Sequence, residues 1–242
     1  MNKDKIKVFR GGKMTVNLIS MLTWNDKTVS NALEVFEKSK FIPGAICWGF
    51  KDMGIEKINA EELARSMKLA GKITFYESLV DKEDKCLEVA KFALDNQIDY
   101  LLGMPFFHSV QKFLRKTSIK YFPTCGRRSG VPRMLHGTIE DIINDGLKLQ
   151  ENGIDGICLS MYRFTGGDPE ELAERFMKII NIPVIISGTI DSYSRLNTVK
   201  KLKPWGFTVG SAFFNKKFGE EMNSSFTEQI NKVLDCLDQQ VY

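Results

Sequence analysis

Short apolar runs alternate along the chain with stretches in which Leu, Ile, Val and Phe recur every third or fourth residue. The first pattern predicts buried strands, and the second predicts amphipathic helices with one face toward a core. Eight runs qualify as strands: TVNLISML (15–22), FIPGAICWGF (41–50), KITFYESLV (72–80), IDYLLGMPFF (98–107), IKYFPTC (119–125), GIDGICLSMY (153–162), IPVIISG (182–188) and GFTVGSA (206–212). Gly, Pro, Asn or Asp bounds each of them. Helical patterns between them include residues 25–40, 59–71, 81–97, 137–153 and 168–181. Asp168, followed by Pro169 and two glutamates, predicts a capped helix start, and Gly71 and Gly153 fall where a helix takes a terminal glycine.

Eight strand-helix units in 242 residues match a closed (β/α)8 TIM barrel in a single domain, 1–242, with the active site at the strand C-termini. An open doubly wound sheet is the alternative, weakened because no GxGxxG follows the first strand. KIKVF (5–9) reads either as an extra hairpin strand or as part of the first unit.

Composition narrows the class without naming a reaction. With 43% hydrophobic and 26% charged residues, the chain has enough apolar mass for a sizeable core. A net charge of +4 suits an anionic ligand and argues against nucleic acid as a main partner. The five cysteines are scattered, which supports neither a zinc ribbon nor a disulfide framework and fits a reduced, cytoplasmic setting. No signal-peptide pattern and no membrane-spanning run is expected. A homo-oligomer is compatible with all of this.

The chemistry concentrates late. Residues 184–196 (VIISGTIDSYSRL) and 207–218 (FTVGSAFFNKKF) each run from an apolar strand through Gly and hydroxyl residues into a helical pattern. Backbone N–H groups at such helix starts favour an anion, so the pair predicts a phosphate site over about 182–220. The alternative is an ordinary pair of tight barrel turns. The segment 183–214 resembles the seventh and eighth units of the phosphate-binding (β/α)8 barrels, a superfamily that includes ribulose-phosphate-type epimerases, sugar-phosphate decarboxylases and isomerases of histidine and tryptophan synthesis. The resemblance implies phosphate contacts at Ser187, Gly188, Thr189 and Ser192, then Gly210, Ser211 and Ala212. Thr189 stands where the family often has a second glycine.

Opposite the phosphate, polar residues at strand ends are the candidate catalysts. Glu77 closes the third strand among apolar neighbours such as Phe75 and is the first candidate for general acid-base work. His108 closes the fourth and could shuttle a proton; the alternative is a surface or capping histidine. His136, just before a helical pattern, reads as a loop residue. Tyr162 and Arg163 end the sixth strand and offer an acid and a charge. After the fifth strand, Arg127, Arg128 and Arg133 lie in a loop broken by Gly126, Gly130 and Pro132, and read as a substrate grip, a lid or a solvated basic loop. Trp48 reads as a pocket wall, and Lys51 with Asp52 as catalytic groups or a solvated pair. Cys125 reads as an activated thiolate or as inert packing.

Absences matter too. No lysine lies on the sixth strand, so a Schiff base is disfavoured and Lys51 is the one candidate left for it. Two histidines in the whole chain argue against a bound metal. The first strand offers only Asn17 and Ser20 where the amino-acid biosynthetic barrels carry an acid or a lysine. The expected function is an enzyme on a small phosphorylated metabolite, an isomerase, epimerase or carbon-carbon lyase without metal or cofactor. One alternative is a non-catalytic barrel sensing such a metabolite or RNA, with KFLRK, CGRRSG and TVKKLK as partner face. Another is a flavin mononucleotide protein, which would be yellow.

Overall fold

The structure, a computed structural model, describes residues 9–10, 13–14, 16–219 and 224–239. KIKVF lies outside the described residues except for Phe9, which with Arg10 pairs antiparallel to Lys13–Met14. Eight parallel strands form the barrel: β1 (Asn17–Met21), β2 (Cys47–Lys51), β3 (Ile73–Glu77), β4 (Tyr100–Leu102), β5 (Lys120–Phe122), β6 (Ile157–Leu159), β7 (Val184–Ile186) and β8 (Gly206–Val209). Sequence neighbours pair in parallel from β1 to β5 and from β6 to β8, and β8 returns to β1. Between β5 and β6 the ladder shrinks to a single bridge, Thr124 with Cys158, joined by the Cys158 N–H to the Pro123 carbonyl. Pro123 has no N–H to donate, so the seam there stays narrow.

The connecting helices are α1 (Ala32–Ser39), α2 (Lys57–Leu69), α3 (Glu83–Asp95), α4 (His108–Leu114), α5 (Ile139–Glu151), α6 (Pro169–Ile179), α7 (Tyr193–Leu202), α8 (Ser211–Phe214) and α9 (Phe226–Asp238). Their caps follow the sequence. Asp168 accepts the Glu170 N–H with Pro169 in the first turn, and the Gly71 and Gly153 N–H groups close α2 and α5 from left-handed φ values of +69° and +68°. Among the described residues no helix is long and apolar enough to cross a membrane.

Two apolar layers position the site. The larger one lies between sheet and helices, and a second fills the barrel with Ile19, Met21, Cys47, Phe75, Tyr100, Leu102, Phe122 and Ile185. Trp205 plugs the lower end, its ring 5.1 Å from Tyr100 and 5.9 Å from Phe122. A Cβ on Gly49 would come within 2.5 Å of the Met21 sulfur and 3.0 Å of the Phe75 Cβ, so glycine lets these two side chains meet across β2. With the interior filled, the room for a ligand along the barrel axis lies above it, at the strand C-termini.

One helical expectation is corrected. The front of the 25–40 pattern is a hairpin, Thr23–Trp24 against Lys27–Thr28, and α1 starts only at Ala32. Asn25 and Asp26 form its two-residue turn at φ +47° and +61°. Both positive values belong to the turn type that matches strand twist, which Asn and Asp tolerate better than most residues.

Candidate active site

Above the filled interior lies a cavity of about 410 Å³. Strand alternation puts residues two apart on one face, so Phe75 packs the interior and Glu77 rises into the cavity, while Lys51 does the same above Gly49. Lys51 and Glu77 are register partners on β2 and β3, only 5% and 8% exposed, with Nζ 3.3 Å from Oε1. Lys51 Nζ also donates to Asp26 Oδ1 at 2.8 Å. Asp26 in turn receives both terminal nitrogens of Arg163, at 2.8 and 2.9 Å. Thr28 Oγ1 accepts the Lys51 N–H and donates to the Lys51 carbonyl, tying the hairpin to the end of β2.

This is a chain of four charges, Glu77, Lys51, Asp26 and Arg163. Burial pushes the Lys51 ammonium down, but the carboxylates of Glu77 and Asp26 outweigh it and hold the pKa above its usual value. Burial pushes the Asp26 carboxyl up, and the Arg163 hydrogen bonds with the Lys51 charge reverse this, lowering it to about 2. A carboxyl whose pKa falls on folding adds stability above its unfolded value, about 3.9, and that stability fades as pH drops toward 2. Between about pH 5 and 2.5, wild type is therefore expected to lose more unfolding free energy than Asp26→Asn, measured by urea titration; equal losses would show that Asp26 is not held by its cations.

Both late turns face the same cavity. Ser187, Gly188 and Thr189 line it after β7, and Gly210, Ser211 and Ala212 after β8. Gly188 has φ +85°, and a Cβ there would sit 3.1 Å from Arg163 Cγ, so the Arg163 stem lies directly over the turn. Thr189 adopts φ +50°, a left-handed conformation that a second glycine would adopt without strain. Ser211 Oγ accepts the Asn25 N–H at 2.9 Å, joining the β8 turn to the hairpin tip. Arg128 lines the cavity from the far side and hydrogen-bonds the Gly103 carbonyl; burial lowers its pKa.

Not every predicted site residue reaches this cavity. Ser192 is not part of its wall, because its hydroxyl caps α7 by accepting the Arg195 N–H. Trp48 is fully buried on the helix side of β2, edge-on to Phe36, and donates to the Ala45 carbonyl, so it walls no pocket. His108 opens α4 on the surface and lines a separate cleft of about 620 Å³ with Phe106 and Arg133. Tyr162 faces outward, with its hydroxyl toward Glu170 and Arg195 over its ring; burial pushes it up to about 12. Arg127 is exposed, and Arg133 bonds the Leu79 carbonyl and Asp81. Cys125 is buried, which pushes its thiol pKa up and fits packing rather than an activated thiolate. Asn17 sits at the lower end, donating to the Trp205 carbonyl, and Ser20 is wholly buried.

The arginine loop is itself a hairpin, Arg127–Ser129 against Met134–His136. His136 pins it, with one ring nitrogen on Ser129 and the other on Thr165, while Val131 and Pro132 overhang the cavity. Lys51 and Asp52 are not a solvated pair: Lys51 enters the cavity and Asp52 accepts from Ser78 on another side. Asp26 was missed altogether. Its signal was present, an Asn-Asp pair between Thr-Trp and Lys-Thr, which fits a two-residue hairpin turn.

Among solved structures, the chain is similar to the tryptophan synthase alpha chain from Legionella pneumophila, at 9% identity and TM-score 0.65, covering 93% of this chain and 92% of that one. It is similar to N-(5'-phosphoribosyl)anthranilate isomerase from Pyrococcus furiosus at 14% identity and TM-score 0.61, covering 92% and 98%. A 4-hydroxy-2-oxoglutarate/2-dehydro-3-deoxyphosphogluconate aldolase matches at 11% identity and TM-score 0.60, covering 93% and 96%. No protein-family model and no curated protein sequence matches the chain. At these identities the likeness is one of fold: the chain has the TIM-barrel architecture of these enzymes.

Proposed function

We propose that the chain is an enzyme acting on a small phosphorylated metabolite, an isomerase, epimerase or carbon-carbon lyase working by general acid-base chemistry. The observation that carries this reading is that one cavity is lined both by the two late turns and by the Lys51 and Glu77 pair. A phosphate seated at Gly188, Ser211 and Ala212 leaves the carbon skeleton to extend toward β2 and β3. There the Glu77 carboxylate takes a proton from a carbon beside a carbonyl, and the C–H electron pair moves into the enolate. Lys51 keeps its proton and stabilises the enolate oxygen. Returning the proton to the other face gives an epimer, and returning it to the neighbouring carbon while a hydroxyl proton passes between the two oxygens gives an isomer. In a carbon-carbon lyase Glu77 instead takes the β-hydroxyl proton, whose O–H pair forms the new carbonyl as the carbon-carbon pair becomes the enolate. Arg128 meets the far end of the substrate. Two of the structural neighbours, the phosphoribosylanthranilate isomerase and the deoxyphosphogluconate aldolase, are named for phosphorylated compounds, which agrees with this class.

The test is a thermal-shift screen of sugar phosphates, each beside its dephosphorylated form. A ligand at a hundred times its dissociation constant adds about 2.7 kcal/mol, a readily measured rise in Tm. Stabilisation is expected only from phosphorylated members, and it should vanish in Gly188→Asp, which sets a negative charge and a strained side chain where the anion sits. A shift that survives this substitution, or none with any phosphate, would remove the proposed site. Stabilisation without any turnover would favour a sensor.

A further inference from the structure

Asp26 belongs to no substrate and to no turn that grips a phosphate, yet it sits between two of the cations that line the cavity, Lys51 and Arg163. Arg163 meets both its oxygens and Lys51 meets one, at 2.8 to 2.9 Å. Two-pronged pairing by a planar guanidinium is the geometry with which proteins hold a ligand carboxylate. The Asp26 carboxylate comes from the tip of a hairpin with two-residue strands, not from the barrel wall. The two turn residues hold that tip to the site by the Asp26 carboxylate on Lys51 and Arg163 and the Asn25 N–H on Ser211 Oγ, in the β8 turn, while Thr28 on Lys51 and Trp24 Nε1 on Asn215 Oδ1 tie the strands behind it. A phosphate that claims the Ser211 hydroxyl loosens one, and a ligand carboxylate replaces the other.

Resting on the phosphate reading above, we infer that Lys51 and Arg163 form a carboxylate subsite, filled by Asp26 until a substrate bearing both a phosphate and a carboxylate displaces it. The substrate class is thus a phosphorylated hydroxy or oxo acid, with its carboxylate held between the Gly188 turn and Glu77. This placement follows from Arg163, whose stem covers Gly188 and whose guanidinium reaches Asp26. The Arg163 Nε is buried without a hydrogen-bond partner, so the guanidinium has a further donor to offer an acid.

Three probes separate the two ideas in calorimetric titrations of wild type and Asp26→Asn: 3-phosphoglycerate, glycerol 3-phosphate, which replaces its carboxylate by a hydroxymethyl group, and glycolate, which lacks the phosphate. Asp26→Asn is expected to bind 3-phosphoglycerate about tenfold more tightly than wild type, with glycerol 3-phosphate changed by less than about threefold. Equal gains for both phosphates would mean that Asp26 only sets the charge of the cavity, and would overturn the subsite while leaving the phosphate reading intact. A gain for glycolate with no binding of either phosphate would keep the subsite and remove the phosphate reading. No gain with any carboxylate overturns the subsite. Should Asp26→Asn not fold, amide hydrogen exchange of wild type decides: residues 23–28 should exchange faster with 3-phosphoglycerate than with glycerol 3-phosphate, and equal exchange rejects the displacement.

Discussion

Glu77→Gln is expected to lower kcat for the phosphorylated substrate by about a hundredfold or more, the size of effect that general acid-base catalysis supplies, with ligand dissociation constants nearly unchanged. The substitution preserves shape and burial and removes the ability to take a proton together with the charge that faces Lys51. Solvent deuterium incorporation into the substrate beside its carbonyl is the sharper readout, because it reports the proton transfer itself and should disappear in the variant. The observation behind the prediction is the position of Glu77 at the end of β3, 8% exposed and facing Lys51 above the barrel's apolar fill. Loss of ligand binding with exchange per bound molecule unaltered would assign Glu77 a binding role and sink its catalytic one.

Lys51→Met is expected to destabilise the fold by about 3–5 kcal/mol, because it strips a buried carboxylate of its counter-charge. Asp26 keeps Arg163, so the burden falls on Glu77. Adding Glu77→Gln should recover most of the loss, since replacing both members of a buried pair by neutral groups of similar volume is often close to neutral. Urea unfolding of the two single variants and the double variant measures this cycle. If Lys51→Met costs less than about 1 kcal/mol, in the range of exposed pairs, the ammonium is solvated and the proposed chemistry loses its electrophile.

Much of the fold was legible because strand and helix periods are local properties of the chain. Seven of the eight strand runs contain the observed strands, the second stops at Phe50, one residue short of the end of β2 at Lys51, and the caps at Asp168, Gly71 and Gly153 form as their residue types require. The error at residues 25–40 has a local cause as well: apolar positions from Val29 onward carry a helical spacing that was extended back across the Asn-Asp turn. The site was legible in part. The late turns converge on one cavity because adjacent barrel units must, and Glu77 enters it because it lies two residues beyond an interior phenylalanine.

Other side chains could not be placed by position along the chain. Trp48 and Lys51 are three residues apart in one strand, and only the inside-outside sense of β2, set by packing Cys47 and Gly49 inward, sends one to the helices and the other to the cavity. His108 and Tyr162 follow strand ends but belong to the helical turns that come next, which carry them away from the axis. The local sequence of apolar runs, turns and caps determined that this protein is a barrel with paired turns at one rim. Tertiary structure alone decided that Asp26, Lys51, Glu77 and Arg163, from four separate units, share one charge network. Such a network depends on distances across the barrel mouth, which closure of the sheet creates and no stretch of sequence contains.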